Sequence, residues 1–173
     1  MNNNALGVAN ELIDLADKDG VELTLLKLVK LTYLSYAFGL VLAPREPMID
    51  PRFDKVEARR YGPVIPSVYH SFKHRRDEPI RREDMAVAMV GEDGGRCEFA
   101  TPRIEGDRAL RTIKFVWKRY RGVSAGQLVD ILHLDGTPWR QSYIPGVNAE
   151  IPEEVTRRFY TLFVDLLLKS IED

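Results

Sequence analysis

The sequence predicts a mainly α-helical protein with a small β-hairpin, folded as a single compact domain, residues 1–173, around a buried central helix. Three observations support this fold class. Apolar residues recur at helical spacing in most segments, one segment after residue 24 is apolar on almost every side, and two short β-prone runs flank a glycine-rich turn. Hydrophobic residues form 45% of the chain and charged residues 29%, which is typical of a globular domain with its own core.

Two helices are predicted in the N-terminal part. Apolar residues at positions 5, 8, 9, 12, 13 and 16 predict the first helix, which Gly20 can end. Thr24 can cap the second helix, which runs to about residue 43. Apolar side chains cover this second helix except for a narrow polar arc that holds Lys27 and Lys30. A helix of this kind is surrounded by other elements, and we therefore expect it to be the central one.

Shorter elements follow in the middle of the chain. After a loop over 44–51 and a short extended piece within 53–61, Pro66 lies in the first turn of a third helix. Residues 75–84 have mixed charge and predict a solvated loop. The runs Met85–Val90 and Arg96–Ala100 predict a hairpin around the intervening Gly-Glu-Asp-Gly-Gly turn.

The C-terminal part returns to helices. Helical spacing extends from about 106 to 121, and a capping box of Ser124 and Gln127 opens a helix to about 133. A loop is predicted over 136–149, and Pro152 opens the last helix. The predicted buried stripe of that helix is Val155, Phe159, Leu162, Phe163 and Leu166.

Charge and cysteine content limit the possible partners and the compartment. The 25 basic and 26 acidic residues give a net charge of −1, so attraction to nucleic acid or anionic lipid would need a local patch. The single cysteine, Cys97, excludes an intrachain disulfide and fits a reducing compartment. The Asn-rich N-terminus lacks signal-peptide features, and the most apolar run, 31–43, is too short to span a bilayer. We therefore expect a cytoplasmic protein without a membrane partner.

A metal-dependent hydrolase is one hypothesis that the sequence raises. His70 and His74 lie four residues apart, a spacing that can present two imidazoles to one zinc ion on a helix. However, Lys73 between them would oppose a dication, and no third ligand stands at a recognisable spacing. Gly-x-Ser-x-Gly and phosphate-binding loop motifs are also absent from the sequence. We therefore predict a protein that is not an enzyme and that holds no metal and no cofactor.

The basic helix is the main candidate for a binding surface. Between 108 and 121 the basic residues occupy one arc, with Phe115 in its middle and apolar side chains on the opposite arc. This face suits an acidic protein partner or, as an alternative, single-stranded nucleic acid with a base stacked on Phe115. It could equally be a solvated face whose charges pair with neighbouring acids and whose Phe115 packs under a loop. The basic residues are Arg108, Arg111, Lys114, Lys118, Arg119 and Arg121.

An ordered set of motifs resembles the Panacea domain family of SocA-like antitoxins, which bacteria and phages encode. The motifs are VANELIDLA, LTLLKLVKLTYLSYAFGLVL, VEARRYGPVIPSVYHSFK, VSAGQLVDILH and GTPW, spread over about Val8–Trp139. Residues 75–105 match the pattern least, and we expect them to be a variable insertion within the domain. The positions that carry the resemblance are Lys27, Tyr33, Tyr61, Gly62, Pro63, Tyr69, Ser124 and Trp139.

The resemblance implies a non-catalytic antitoxin that binds and neutralises a cognate protein toxin encoded nearby. By analogy with SocA, it also implies an adaptor that delivers the toxin to the ClpXP protease. The family brings no catalytic residues. We predict toxin contacts on the basic helix and on the loop 75–82, which is a place where partner specificity can vary. The predicted contact residues are Arg111, Phe115, Lys118, Arg119, Arg75, Arg76, Arg81 and Arg82.

The family-marking residues have two alternative interpretations. Tyr61, Tyr69 and Trp139 are expected to be core aromatics with satisfied polar atoms, or else to line a shared groove that binds a partner. Tyr61-Gly62-Pro63 is predicted to form a turn before the third helix. Lys27 is expected to reach water or a carboxylate at the surface.

Overall fold

The predicted fold class is confirmed by the computed structural model, which describes residues 4–91 and 97–172. The protein is 57% helical, and its β structure consists of small antiparallel sheets. The helices are α1 (Ala5–Asp19), α2 (Leu25–Leu42), α3 (Pro66–Phe72), α4 (Asp107–Tyr120), α5 (Ala125–Leu132), α6 (Pro138–Ser142) and α7 (Glu153–Glu172). The strands are β1 (Glu57–Arg59), β2 (Gly62–Val64), β3 (Ala88–Gly91), β4 (Cys97–Ala100) and β5 (Ala149–Glu150).

Helix α2 is the buried centre of the fold, as predicted. Helices α1, α3, α4, α5 and α7 all contact it, and every residue from Lys27 to Gly39 is buried. Thr24 caps it by accepting a hydrogen bond from the backbone N–H of Lys27. The apolar run is longer than the sequence indicated: α2 spans 18 residues and is apolar enough to cross a membrane by length and composition alone. Because 67% of the helix is buried among the other elements, it serves here as a core helix.

Helix α1 follows its predicted pattern, and one of its buried polar side chains forms hydrogen bonds to a distant segment. All six apolar positions from Ala5 to Ala16 are buried, and Gly20 ends the helix with a φ of 63°. Asn10 is fully buried on the same face. Its side-chain amide donates to the carbonyls of Ala86 and Pro102 and accepts from the N–H of Ala86. Asn10 therefore holds the two ends of the segment that carries β3 and β4.

The first sheet corrects the predicted turn at Tyr61-Gly62-Pro63. Gly62–Val64 is a strand, β2, which pairs antiparallel with β1, and β1 also pairs with β5. The turn lies one position earlier, at Arg60 and Tyr61. Gly62 has a φ of 102°, so it opens β2 in a conformation that disfavours side chains, and only Pro66 lies in the following helix.

The predicted hairpin is confirmed by β3 and β4, which pair antiparallel from Ala88 with Ala100 to Gly91 with Cys97. The residues between the strands, 92–96, lie outside the described part of the chain. The two strands form a sheet separate from the one made by β2, β1 and β5.

Helices α4, α5 and α6 are fixed by their caps. The carboxylate of Glu46 accepts from the N–H of Ala109 in the first turn of α4. The predicted capping box of Ser124 and Gln127 is present at α5. The loop predicted over 136–149 was partly wrong, since Thr137 caps the short helix α6 within it. A five-residue helix is too short to show a helical period in the sequence.

The predicted buried stripe of α7 was wrong at two positions. Leu162 is 63% exposed and Leu166 is 65% exposed, whereas Thr156, Tyr160 and Val164 are buried. The buried series contains a threonine and a tyrosine, which a hydrophobic pattern ranks below leucine. Apolar residues occur all around the second half of α7, so the pattern could not select the correct face.

Candidate partner-binding site

A groove of about 600 Å³ lies between the basic helix α4 and the C-terminal half of α7. We call it the α4/α7 groove. Three of the predicted contact residues, Arg111, Phe115 and Arg119, lie in it, and Lys118 is exposed but does not line it. The lining residues are Leu42, Arg108, Arg111, Thr112, Phe115, Arg119, Val164, Leu167, Leu168 and Ser170.

Arginines line the groove on the α4 side. Arg108 and Arg111 are exposed, and neither forms an ion pair with any residue that the structure describes. Arg119 donates to the hydroxyl of Tyr120 at 3.3 Å, and its guanidinium lies 5.6 Å from that ring. The groove therefore presents two uncompensated cations beside an apolar lining.

Phe115 connects the groove to the core. Its side chain is 38% exposed, and its ring packs edge-on against the buried Phe38 of α2 with ring centroids 5.3 Å apart. The alternative of a fully solvated basic face, with Phe115 packed under a loop, does not describe this arrangement. Phe115 packs on the central helix and keeps part of its ring open to the groove.

The arginines predicted as contacts on the loop 75–82 fall into different environments. Arg75 donates to the carbonyl of Pro79 and lies 3.5 Å from Asp84, and Arg82 lies 3.3 Å from Asp14. Their charges are therefore balanced within the fold. Arg81 and Arg76 are exposed, and Arg76 alone of the four lines a large groove, one distinct from the α4/α7 groove.

Lys27 does not extend to water, which corrects its predicted position. Its side chain is 9% exposed, and its ammonium donates to the carbonyl of Arg121, with 2.5 Å between Nζ and the oxygen. Burial lowers the pKa of Lys27 below its ordinary value. Lys27 thus satisfies a carbonyl at the C-terminal end of α4, and it joins the central helix to the basic helix.

The family-marking aromatic residues divide between core and surface. Tyr33 is fully buried, and Trp139 is buried with its indole N–H donating to the carbonyl of Arg59 at 2.8 Å. Tyr61 is 60% exposed, so the interpretation as a core aromatic is wrong for it and the groove interpretation remains. Tyr69 is half-buried, with the guanidinium of Arg59 4.8 Å from its ring centroid.

A second groove, of about 730 Å³, contains Tyr61 and Tyr69. It lies between the first turns of α2, the turn that joins β1 to β2, and α3. Lys30 of α2 lines its inner part, and four further cations stand in or around it. The alternative interpretation of the family-marking aromatic residues placed them in a shared groove, and Tyr61 and Tyr69 line this one, whereas Trp139 does not. The cations of this groove were not predicted, although Lys30 on the polar arc of an otherwise apolar helix was a visible signal. The cations are Lys30, Arg59, Arg60, Lys73 and Arg76.

The histidines do not assemble into a recognisable metal site. His70 and His74 are exposed on and after α3, while His133 stacks on Trp139 with ring centroids 3.6 Å apart. Among the described residues, no group of three or more histidine, cysteine or acidic side chains is arranged to hold a metal ion. The side chain of Cys97 lies outside what the structure describes.

The family model for the SocA-like antitoxin, Panacea domain, matches residues 28–140, which is more than half of the chain. The chain therefore belongs to the SocA-like Panacea domain family of antitoxins. A search of curated proteins and a search of solved structures each find no match. The matched range contains α4 and most of the second groove, whereas α7 lies beyond it.

Membership of this family supports an antitoxin-type role with a protein toxin as the general kind of partner. It also suggests a role in binding rather than in catalysis. The α4/α7 groove combines a partly exposed aromatic ring with two arginines that form no ion pair with a described residue, and aromatic and arginine side chains are frequent in protein–protein interfaces.

Proposed function

We propose that this protein is a non-catalytic antitoxin that binds its cognate toxin through the α4/α7 groove and so neutralises it. The toxin would be encoded next to it, and binding would take place in the cytoplasm. The observation that carries this proposal is the position of Phe115. Its side chain is partly exposed in a groove, beside two arginines that lack ion-pair partners among the described residues. The family supports an antitoxin role in general.

The groove favours an acidic amphipathic segment of the toxin. Its leucines and Phe115 can bury an apolar stripe, as grooves that accept an amphipathic helix do. Carboxylates flanking that stripe would meet Arg108 and Arg111, which set the orientation and speed up the encounter. Buried aromatic and arginine side chains contribute most of the binding free energy in interfaces of this type.

Nucleic acid is the competing ligand of the basic helix, and the groove disfavours it. A single-strand binding surface needs aromatic faces along a continuous cationic path. In this groove the α7 side of the lining is largely aliphatic and includes Val164, Leu167 and Leu168. Phe115 on α4 is the one aromatic side chain among the described lining residues. This lining fits protein side chains better than a phosphate backbone.

Delivery of the bound toxin to a ClpXP-type protease is the second part of the proposal. The resemblance to SocA supports it, and it requires a surface that remains accessible when the toxin is bound. A pulse-chase measurement of toxin lifetime, with and without this protein and with and without the protease, tests it. Unchanged toxin lifetime would leave occlusion of the toxin as the mechanism.

Direct binding is tested by purifying the two proteins and measuring their affinity by calorimetry. The proposal predicts a stable complex that the substitution Phe115→Ala weakens at least about tenfold. The absence of a complex between the protein and the product of any neighbouring gene would overturn it.

A further inference from the structure

The second groove carries an excess of positive charge. Arg59 pairs with Glu57 at 2.8 Å, but Arg60, Lys73 and Arg76 form no ion pair with any described residue. One acidic side chain, that of Asp77, is among the residues that line the groove. An excess of cations in a concave site raises the local concentration of anionic ligands.

Lys30 adds a buried donor to this groove. Its side chain is 1% exposed, and its ammonium makes one hydrogen bond among the described residues, to the carbonyl of Pro63 at 3.0 Å. An ammonium can donate three hydrogen bonds, so two of its N–H groups have no partner among the described residues. Burial and the nearby Arg59 lower the pKa of Lys30 to about 7, which an anion bound beside it would raise again.

Gly62 makes room for this ammonium. A Cβ atom at Gly62 would lie 3.0 Å from Nζ of Lys30 and 3.6 Å from Nε2 of His133, and the φ of 102° also disfavours any side chain there. The Nε2 atom of His133 is itself buried without a hydrogen-bond partner among the described residues. Both nitrogen atoms therefore lie close to the position that a Cβ atom at Gly62 would occupy.

The backbone and the aromatic side chains also point to a binding site. Arg76 has a φ of 51° and is the one non-glycine residue with a positive φ in the described part of the chain. Strain of this kind is often kept where it positions a functional side chain. Tyr61 is 60% exposed and Leu26, which lines the same groove, is 37% exposed, so an apolar surface adjoins the cations.

We propose that the second groove binds an acidic, partly apolar peptide segment of a protein partner, with a carboxylate directed towards Lys30 and further carboxylates paired with Arg60, Lys73 and Arg76. The apolar side chains of the segment would pack on Leu26 and Tyr61. This site is distinct from the α4/α7 groove, because the two grooves adjoin opposite ends of the 18-residue helix α2, at Leu25 and at Leu42.

A peptide fits the lining better than a nucleic acid does. Part of the groove is aliphatic and suits leucine-like side chains, whereas this part has no polar side chain that could bind a phosphate backbone. It consists of Leu25, Leu26, Val29 and Val64. Asp77 at the rim would repel a continuous polyanion, whereas a peptide can place an uncharged or basic residue there.

The test uses a fluorescently labelled peptide of alternating glutamate and leucine. Its anisotropy is measured with the full chain in an Arg111→Glu background, so that the α4/α7 groove contributes little. We expect binding that the pair Arg60→Glu and Arg76→Glu weakens at least about tenfold, and that Lys30→Met also weakens. The matched control is Arg158→Glu, since Arg158 is an exposed arginine outside both groove linings, and it should leave binding unchanged.

The outcomes separate this proposal from the alternatives. A peptide of glutamine and leucine should bind much more weakly if carboxylates are recognised. Equal binding of that neutral peptide, no effect of the rim variants, or tighter binding of an oligothymidine would each overturn the proposal. If Lys30→Met does not fold, the two exposed arginines decide the result. Because the experiment contains no toxin, its failure leaves the proposed antitoxin function untouched.

Discussion

The ring of Phe115 on α4 packs edge-on against the ring of Phe38 on α2, with centroids 5.3 Å apart and an interplanar angle of 78°. Phe38 is fully buried and also contacts the rings of Tyr160 and Phe163 on α7. The partly exposed Phe115 is therefore held by an aromatic cluster that joins three helices. Such an anchor loses little conformational entropy on binding, because its orientation is already fixed.

Replacing Phe115 with alanine should weaken toxin binding at least about tenfold, because it removes a preorganised aromatic anchor. Calorimetry on the purified pair measures the loss. The matched control is Phe53→Ala, since Phe53 is 82% exposed and lines neither groove, and it should leave the affinity within about twofold. An equal loss in both variants would show that Phe115 has no special role.

Charge reversal at Arg108 and Arg111 should slow association and flatten its dependence on salt. Both guanidiniums are exposed and lack ion-pair partners among the described residues, so they are available to steer an acidic toxin segment. Stopped-flow association rates at several salt concentrations test this, with Arg158→Glu as the control for net charge. If the association rate falls equally in the control, the effect comes from the overall charge and not from Arg108 and Arg111.

The stability of the protein should rise with pH between about 7 and 10 because of Lys30. Its pKa is lowered to about 7 in the folded state from 10.5, so the unfolded chain binds more protons throughout that range. The free energy of unfolding should then increase with pH, by at most about 1.4 kcal/mol per unit from this one group. Urea denaturation at a series of pH values measures the slope.

The variant Lys30→Met should lose most of this slope, since methionine does not titrate. Lys27 has a lowered pKa as well and adds a smaller rise of the same sign. Above pH 10 the buried Tyr33 and Tyr36 act in the opposite direction, because burial raises the pKa of each in the folded state. A slope that persists in full in Lys30→Met would show that Lys30 is not the source.

Replacing Asn10 with alanine should destabilise the protein by about 2–4 kcal/mol, because it leaves the N–H of Ala86 and two carbonyls buried without their partner. Urea denaturation compares it with Glu11→Ala, a neighbouring change on the partly exposed side of α1. A loss below about 0.5 kcal/mol would mean that solvent replaces these bonds.

Shortening the segment that Asn10 holds tests the expectation that residues 75–105 are a variable insertion. Replacing residues 88–100 with a short glycine linker keeps Ala86 and Pro102, and with them the three hydrogen bonds of Asn10. The shortened protein should therefore fold, as judged by circular dichroism and a cooperative thermal transition. Failure to fold would show that β3 and β4 belong to the structural core.

Features that depend on neighbouring residues in the chain could be predicted from the sequence. The cap at Thr24, the end of α1 at Gly20 and the capping box at Ser124 each depend on contacts within a few residues. The burial of α2 followed from its apolar circumference. The basic face of α4 could also be predicted, because the spacing of its basic residues follows the period of a single helix.

Features that depend on distant residues could not be predicted. Lys27 donates to a carbonyl 94 positions away, so its burial was not expected. The carbonyl to which Lys30 donates lies 33 positions away and could not be identified from the sequence either. The sequence left open whether Tyr61 belongs to the core or to a groove, and its place at the turn between β1 and β2 decides for the groove. The burial of Tyr160 in place of Leu162 likewise depends on the partner that α7 meets, not on its composition.

The central claim is that this chain neutralises a neighbour-encoded toxin by binding it through the α4/α7 groove, and growth rescue tests it most directly. The adjacent open reading frame is expressed alone, with the wild-type chain, with the double variant Phe115→Ala and Arg111→Glu, and with the control Arg158→Glu, at matched protein levels. The claim predicts growth arrest by the neighbour alone, rescue by the wild type and the control, and no rescue by the double variant. A harmless neighbour, or full rescue by the double variant, would contradict it.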